Sequence, residues 1–176
     1  MNHNAWINWT LYVVTGHLQI ADHIFREMGD DVRNSARMFR AAHPVNRTIY
    51  RGMVLDDDEI KGNGTYVELD PLDKIESVSW SCEESVARRF ADPKDELSVF
   101  LSYKKKRPIG LLAEAHSSDF EVLFFYEWAM HFDLNRAAQM HPDIDENAFI
   151  HCLQTQYEVI TRPEKTTYKI VGRSTR

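Results

Sequence analysis

The sequence predicts an α+β fold, and three observations carry that prediction. The first forty residues repeat apolar side chains at helical spacing, strand-like runs begin only after Pro44, and the helices between those runs are short. Helices first and strands afterwards, without regular alternation, points to α+β rather than to repeated βαβ units.

The helical region comes first. Trp6, Trp9, Val13 and Val14, then Leu18, Ile24, Phe25 and Met28 recur at steps of three and four, an amphipathic pattern. Gly29-Asp30-Asp31 is expected to interrupt it, with a second helix over Arg33–Ala42 ending before His43-Pro44. Such a region serves to cover one side of a sheet.

Beyond Pro44 the texture changes. Thr48–Val54 is rich in β-branched and aromatic residues and reads as a strand. Asp56 to Glu59 is an acidic run suited to a solvated loop or helix start. Gly62-Asn63-Gly64 marks a turn before a short strand over Thr65–Leu69; lacking a third glycine and a following helix, it is no dinucleotide fingerprint. Glu76–Ser81 reads as a strand entering a helix, with Ser81 and Glu84 at the spacing of a capping box. Within that helix Val86 and Phe90 share a face, while Glu84 and Arg88 are placed to pair. Strands are expected over Leu97–Tyr103 and Ile109–Ala115, separated by a basic turn at Lys104–Arg107 and Pro108. Phe120–Phe132 is apolar almost throughout, which fits a buried helix or a strand equally, and residues 135–148 read as a loop or short helix. Tyr157–Thr161, a turn at Arg162–Lys165, and Thr167–Val171 close the chain.

Composition bounds the function. With 176 residues, 43% of them hydrophobic and 27% charged, the chain can bury a core as a single domain. No stretch approaches the roughly 20 apolar residues of a membrane span, and Met1-Asn2-His3-Asn4 lacks the features of a secretory signal. A net charge of −6 argues against nucleic acid as a partner. Cys82 and Cys152 are too few for a disulfide framework, and the histidines lack zincin spacing, so a cytoplasmic protein without a metal or a membrane partner is expected.

One stretch, Gln154-Thr155-Gln156-Tyr157-Glu158-Val159-Ile160-Thr161, carries a sharper signal. On a strand, Gln156 and Glu158 would point the same way, toward solvent or into a cleft. Together with "IYRGM" at 49–53 and "SVSWSCEESVARRFA" at 77–91, it resembles the arginine–serine–glutamate signature of the ADP-ribosyltransferases, in particular their toxin-like bacterial and phage members. The likeness covers residues 45–172. Residues 1–44 match only as a helical lead-in to a catalytic core over 45–176.

The resemblance implies split antiparallel sheets forming a cleft for NAD, used as a co-substrate, with the N-terminal helices packed against them. It assigns Glu158 to the ribose, where a carboxylate stabilises the positive charge that builds as nicotinamide leaves. It assigns Arg51 to the pyrophosphate, which a planar guanidinium grips better than an ammonium. Gly52 is expected to let backbone approach the ligand, Ser79 to orient Glu158, and Ser81 to complete the serine motif. Trp80 or Phe90 is expected to supply an aromatic wall for nicotinamide, and Arg88, Arg89 or the Lys104–Arg107 run further phosphate contacts. In this family, glutamine at the place of Gln156 goes with acceptors other than arginine. The implied activity is transfer of ADP-ribose to a protein side chain, as by a phage-type enzyme in a host cytoplasm. Asp119-Phe120-Glu121-Val122 repeats the acid-x-Glu shape and makes Glu121 the rival carboxylate. Choosing Glu158 leaves 116–155 as a long insertion. An NAD glycohydrolase or a catalytically silent binding protein are the alternatives on the same scaffold.

Overall fold

A computed structural model describes residues 3–60, 66–68, 77–96, 98, 105–131, 141, 143–162 and 167–175. The glycine turn at 62–64, nearly all of the strand expected over 97–103, and the turn at 163–165 lie outside the described residues. The fold is α+β, and the chain divides into two compact units, Met1–Val45 with Glu121–Arg162, and Asn46–Phe120 with Pro163–Arg176. The helical lead-in is therefore no appendage: residues expected to be an insertion complete its unit.

In the first unit, α1 (His3–Val14) packs against α2 (Leu18–Ala42). Gly16, at φ +79°, makes the turn between them, a break the apolar pattern did not announce. On α2 the buried residues Ala21, Phe25, Val32 and Ala36 form one stripe, as periodicity requires. The interruption expected at Gly29–Asp31 is a kink at Met28 within a continuous helix. Gly29 permits it to pack closely, since a Cβ there would lie 3.3 Å from the Phe25 ring. The ambiguous apolar segment resolves into strand β5 (Val122–Phe125) and a 3-10 helix over Tyr126–His131. Helix α4 (Glu146–Gln156) starts on Asp145, whose Oδ1 accepts the Asn147 N–H at 2.9 Å, and leads into strand β6 (Glu158–Thr161), antiparallel to β5.

Large rings hold this unit together. Trp6, 2% exposed, lies 5.2 Å from the Phe39 ring and 6.0 Å from Trp128. Both indole N–H groups are satisfied: Trp6 donates to the Leu123 carbonyl at 2.8 Å and Trp128 to that of His43 at 3.1 Å. Burial thus proceeds without stranding a donor.

In the second unit the strands are β1 (Thr48–Asp56), β2 (Tyr66–Glu68), β3 (Val78–Ser81), β4 (Pro108–His116) and β7 (Thr167–Thr175), with neighbours in the order β2–β7–β4–β1–β3. All described pairings are antiparallel. The β1–β4 ladder runs without a break from Thr48↔His116 to Asp56↔Pro108. Helix α3 (Glu84–Phe90) packs on β1, β3 and β4. Its i,i+4 pair forms, with Arg88 Nε donating to Glu84 Oε1 at 2.7 Å.

Candidate active site

The expected site residues fall in both units, and each group has its own logic. In the second unit, Arg51 sits on β1 between Ile49 and Met53, 0% and 6% exposed. Side chains alternate along a strand, so Ile49, Arg51, Met53 and Leu55 share a face. On β4 their partners are Ala115, Ala113, Leu111 and Ile109. Arg51 is the only charged residue among these eight, and it is half-buried. A guanidinium in such apolar surroundings is costly unless its charge is used or matched.

Gly52 has a different purpose from the one expected. A Cβ on it would lie 2.0 Å from the Ala87 carbonyl oxygen, 2.6 Å from the Ala91 nitrogen and 2.7 Å from Phe90 Cβ. The absent side chain is thus filled by α3, not left open for a ligand. Phe90 is half-buried and sits against this same point of the backbone.

The serine strand also differs in detail. Ser79 is exposed, whereas Trp80 and Ser81 are buried. Trp80 packs on Phe120 at 5.2 Å between ring centroids, making it a core residue rather than an open aromatic wall. The capping box does not form. Glu83 is the N-cap of α3 and has no side-chain cap bond, while Ser81 Oγ accepts the Glu83 N–H at 3.0 Å. The hydroxyl thereby turns the chain two residues on, before the helix begins.

Register then sorts the faces. Tyr50 pairs with Ser81, so alternation puts Ser79 and Ser81 with Tyr50 and Gly52 on the α3 side, and Trp80 with Arg51 on the other. The sheet does not bring Arg51 and Ser79 to one face. The residue that motif reading missed is Tyr50, which packs beside Ala87, Ala91 and Leu112. Burial pushes its phenol pKa up, and the Glu114, Glu84 and Glu83 carboxylates add to this. Its signal in the sequence was its place next to Arg51, one residue and therefore one face away. On that α3 side lies a cavity of about 190 Å³ lined by Arg88, Asp92, Gly110, Leu112 and Gly172, among others.

In the first unit, Glu158 opens β6 and is 6% exposed. Gln156 is not on that strand. It is the last residue of α4, and Tyr157, at φ 49° and ψ 49°, reverses the chain between them. The same-face expectation therefore fails, because Asp145 starts a helix whose period continues through Cys152 to Gln156. A non-glycine residue in this left-handed conformation costs roughly 1–2 kcal/mol. Gln156 Nε2 lies 3.8 Å from Cys152 Sγ, and the Cys152 thiol pKa is pushed up by burial and by the Glu158 charge.

The rival Glu121 precedes β5 and is held by α2. Arg37 Nη2 lies 2.8 Å from its Oε1 and Arg33 Nε 3.3 Å from its Oε2, with the carboxylate side chain 11% exposed. Its carbonyl accepts the Arg162 N–H at 3.0 Å. Glu121 and Glu158 thus mark opposite ends of the β5–β6 pair, separated by roughly 13 Å at about 3.3 Å per residue.

Among the described residues no group of three or more His, Cys, Asp or Glu side chains is arranged to hold a metal, and no helix is long and apolar enough to cross a membrane. No family model, curated protein or solved structure matches the chain.

Proposed function

We propose that the chain is a mono-ADP-ribosyltransferase that moves ADP-ribose from NAD to a protein side chain other than arginine. One observation carries this reading. Arg51 is the one charged residue among the eight paired β1 and β4 residues of its strand face, and its neighbour Gly52 is covered by the helix that follows the Ser-x-Ser strand. Two motifs far apart in sequence, Arg-Gly and Ser-x-Ser with its helix, are thereby one packed assembly.

In this reading the bond between ribose C1′ and the nicotinamide nitrogen breaks, and its electron pair leaves with nicotinamide. The acceptor's nucleophilic atom bonds C1′ and gives up a proton. Glu158 supplies negative charge to the oxocarbenium-like ribose, with greater effect because it is buried. Arg51 binds the pyrophosphate. Ser79, exposed on β3 and on the opposite face from Arg51, is given no contact with the pyrophosphate. Glu121 is left out of the chemistry because two arginines already hold it.

The test is nicotinamide release and transfer of labelled ADP-ribose from NAD to proteins of a host lysate. Glu158→Gln is expected to reduce NAD cleavage about 100-fold or more with the fold retained. Full activity in Glu158→Gln together with its loss in folded Glu121→Gln would move the assignment to Glu121. Nicotinamide release without labelled protein would make the chain a glycohydrolase. No NAD consumption would leave a binding protein, and arginine linkages would refute the acceptor class.

A further inference from the structure

Tyr157 is the only non-glycine residue with positive φ among the described residues. Helices that end in this left-handed conformation usually place glycine or asparagine there, because neither meets the full steric penalty. A tyrosine persists in it only when its surroundings hold it, and such outliers cluster at functional sites. The holding contact is visible: the Tyr157 ring meets the Tyr126 ring edge-on, with centroids 5.4 Å apart and planes at 87°. Tyr126 is itself fixed. It follows β5 directly, packs on Phe125 at 4.9 Å and donates its hydroxyl to Glu127 Oε1 at 3.1 Å. Phe125 in turn pairs with Val159 of β6.

Resting on the reading of Glu158 as the ribose carboxylate, we propose that Tyr157 is its positioning residue. The left-handed turn ends α4 and begins β6 within one residue, and the clamp on Tyr126 ties that turn to the strand beside it. The reversal leaves no loop between helix and strand. Glu158 must therefore occupy the first, buried position of β6, next to the last turn of α4 with Cys152 and Gln156. Glycine at 157 would relieve the backbone and free the turn at once, so the carboxylate would lose its fixed place while the helix and strand survive.

Cys152 reports on this placement without any need for turnover, since its thiol feels the Glu158 charge. The experiment compares wild type, Tyr157→Gly, Tyr157→Asn, Tyr157→Phe and Glu158→Gln. Two readouts are taken: kcat and KM for NAD cleavage, and the pH profile of iodoacetamide alkylation at the Cys152 peptide, followed by mass spectrometry. Tyr157→Gly and Tyr157→Asn are expected to lower kcat at least tenfold with KM for NAD little changed. Their Cys152 profiles should move to lower pH, toward that of Glu158→Gln, while far-UV circular dichroism stays native. Tyr157→Phe, which keeps the ring, should restore both. Wild-type kcat and a wild-type Cys152 profile in Tyr157→Gly would overturn the proposal. If the wild type cleaves no NAD, the functional reading fails by itself, and the alkylation profiles still decide whether Tyr157 places the carboxylate.

Discussion

The two units are stabilised by opposite means. The first depends on large rings whose polar tips find backbone carbonyls, as Trp6 does at Leu123 and Trp128 at His43. The second depends on an unbroken ladder between β1 and β4 and on a side chain that is missing, at Gly52. One unit should be sensitive to losing atoms and the other to gaining a single carbon. The contrast matters because Glu158 belongs to the first unit and Arg51 to the second.

Trp6→Ala is the strongest way to break the comparison. It empties a fully enclosed position and strands the Leu123 carbonyl, and should cost about 3–5 kcal/mol in urea unfolding. Trp6→Phe should recover part of that loss, because a ring remains between Phe39 and Trp128. Gly52→Ala should come next, at about 3 kcal/mol, since the new carbon meets backbone atoms of α3 that cannot swing aside. Thermal and urea unfolding check both. A Gly52→Ala protein as stable as wild type would show that α3 is not seated on β1 as described.

The same contrast explains what the sequence could and could not show. Strands β1, β3 and β4 were legible because β-branched, aromatic and apolar runs report a strand locally, and the Glu84–Arg88 pair followed from helical spacing. The place of Gln156 is not legible locally, because the strand pattern extends backward through Tyr157 while the helix ends at Gln156. The reversal at Tyr157 depends on a contact with Tyr126, thirty-one positions earlier, which no local pattern carries. The reason for Gly52 was hidden likewise, since it lies in the helix that follows a different strand. The Arg-Gly and Ser-x-Ser stretches can be read off the sequence. Which face each one occupies required the Tyr50↔Ser81 register.

The smallest expected effect tests the ladder at its open end. Beyond β1, the Asp56 N–H donates to Glu59 Oε2 at 2.6 Å, and the Lys105 ammonium pairs with the same carboxylate. Ahead of β4, the Arg107 N–H donates to Asp56 Oδ1 at 2.7 Å, so these groups clip the ladder where Asp56 meets Pro108. Burial pushes the Glu59 carboxyl pKa up, but the hydrogen bonds from Lys105 and Asp56, with the Lys105 charge, outweigh it and hold the pKa below its ordinary value. A carboxyl depressed by folding stabilises the native state above its unfolded pKa, and that contribution disappears as pH falls through the folded pKa. The pair is substantially solvated, so its worth is only a few tenths of a kcal/mol. Glu59→Gln should therefore lower the urea midpoint slightly at pH 7 and match wild type once the pH has dropped below the folded pKa of Glu59. A gap that persisted in acid would mean that Glu59 acts through packing, and that the ladder needs no charge to close its end.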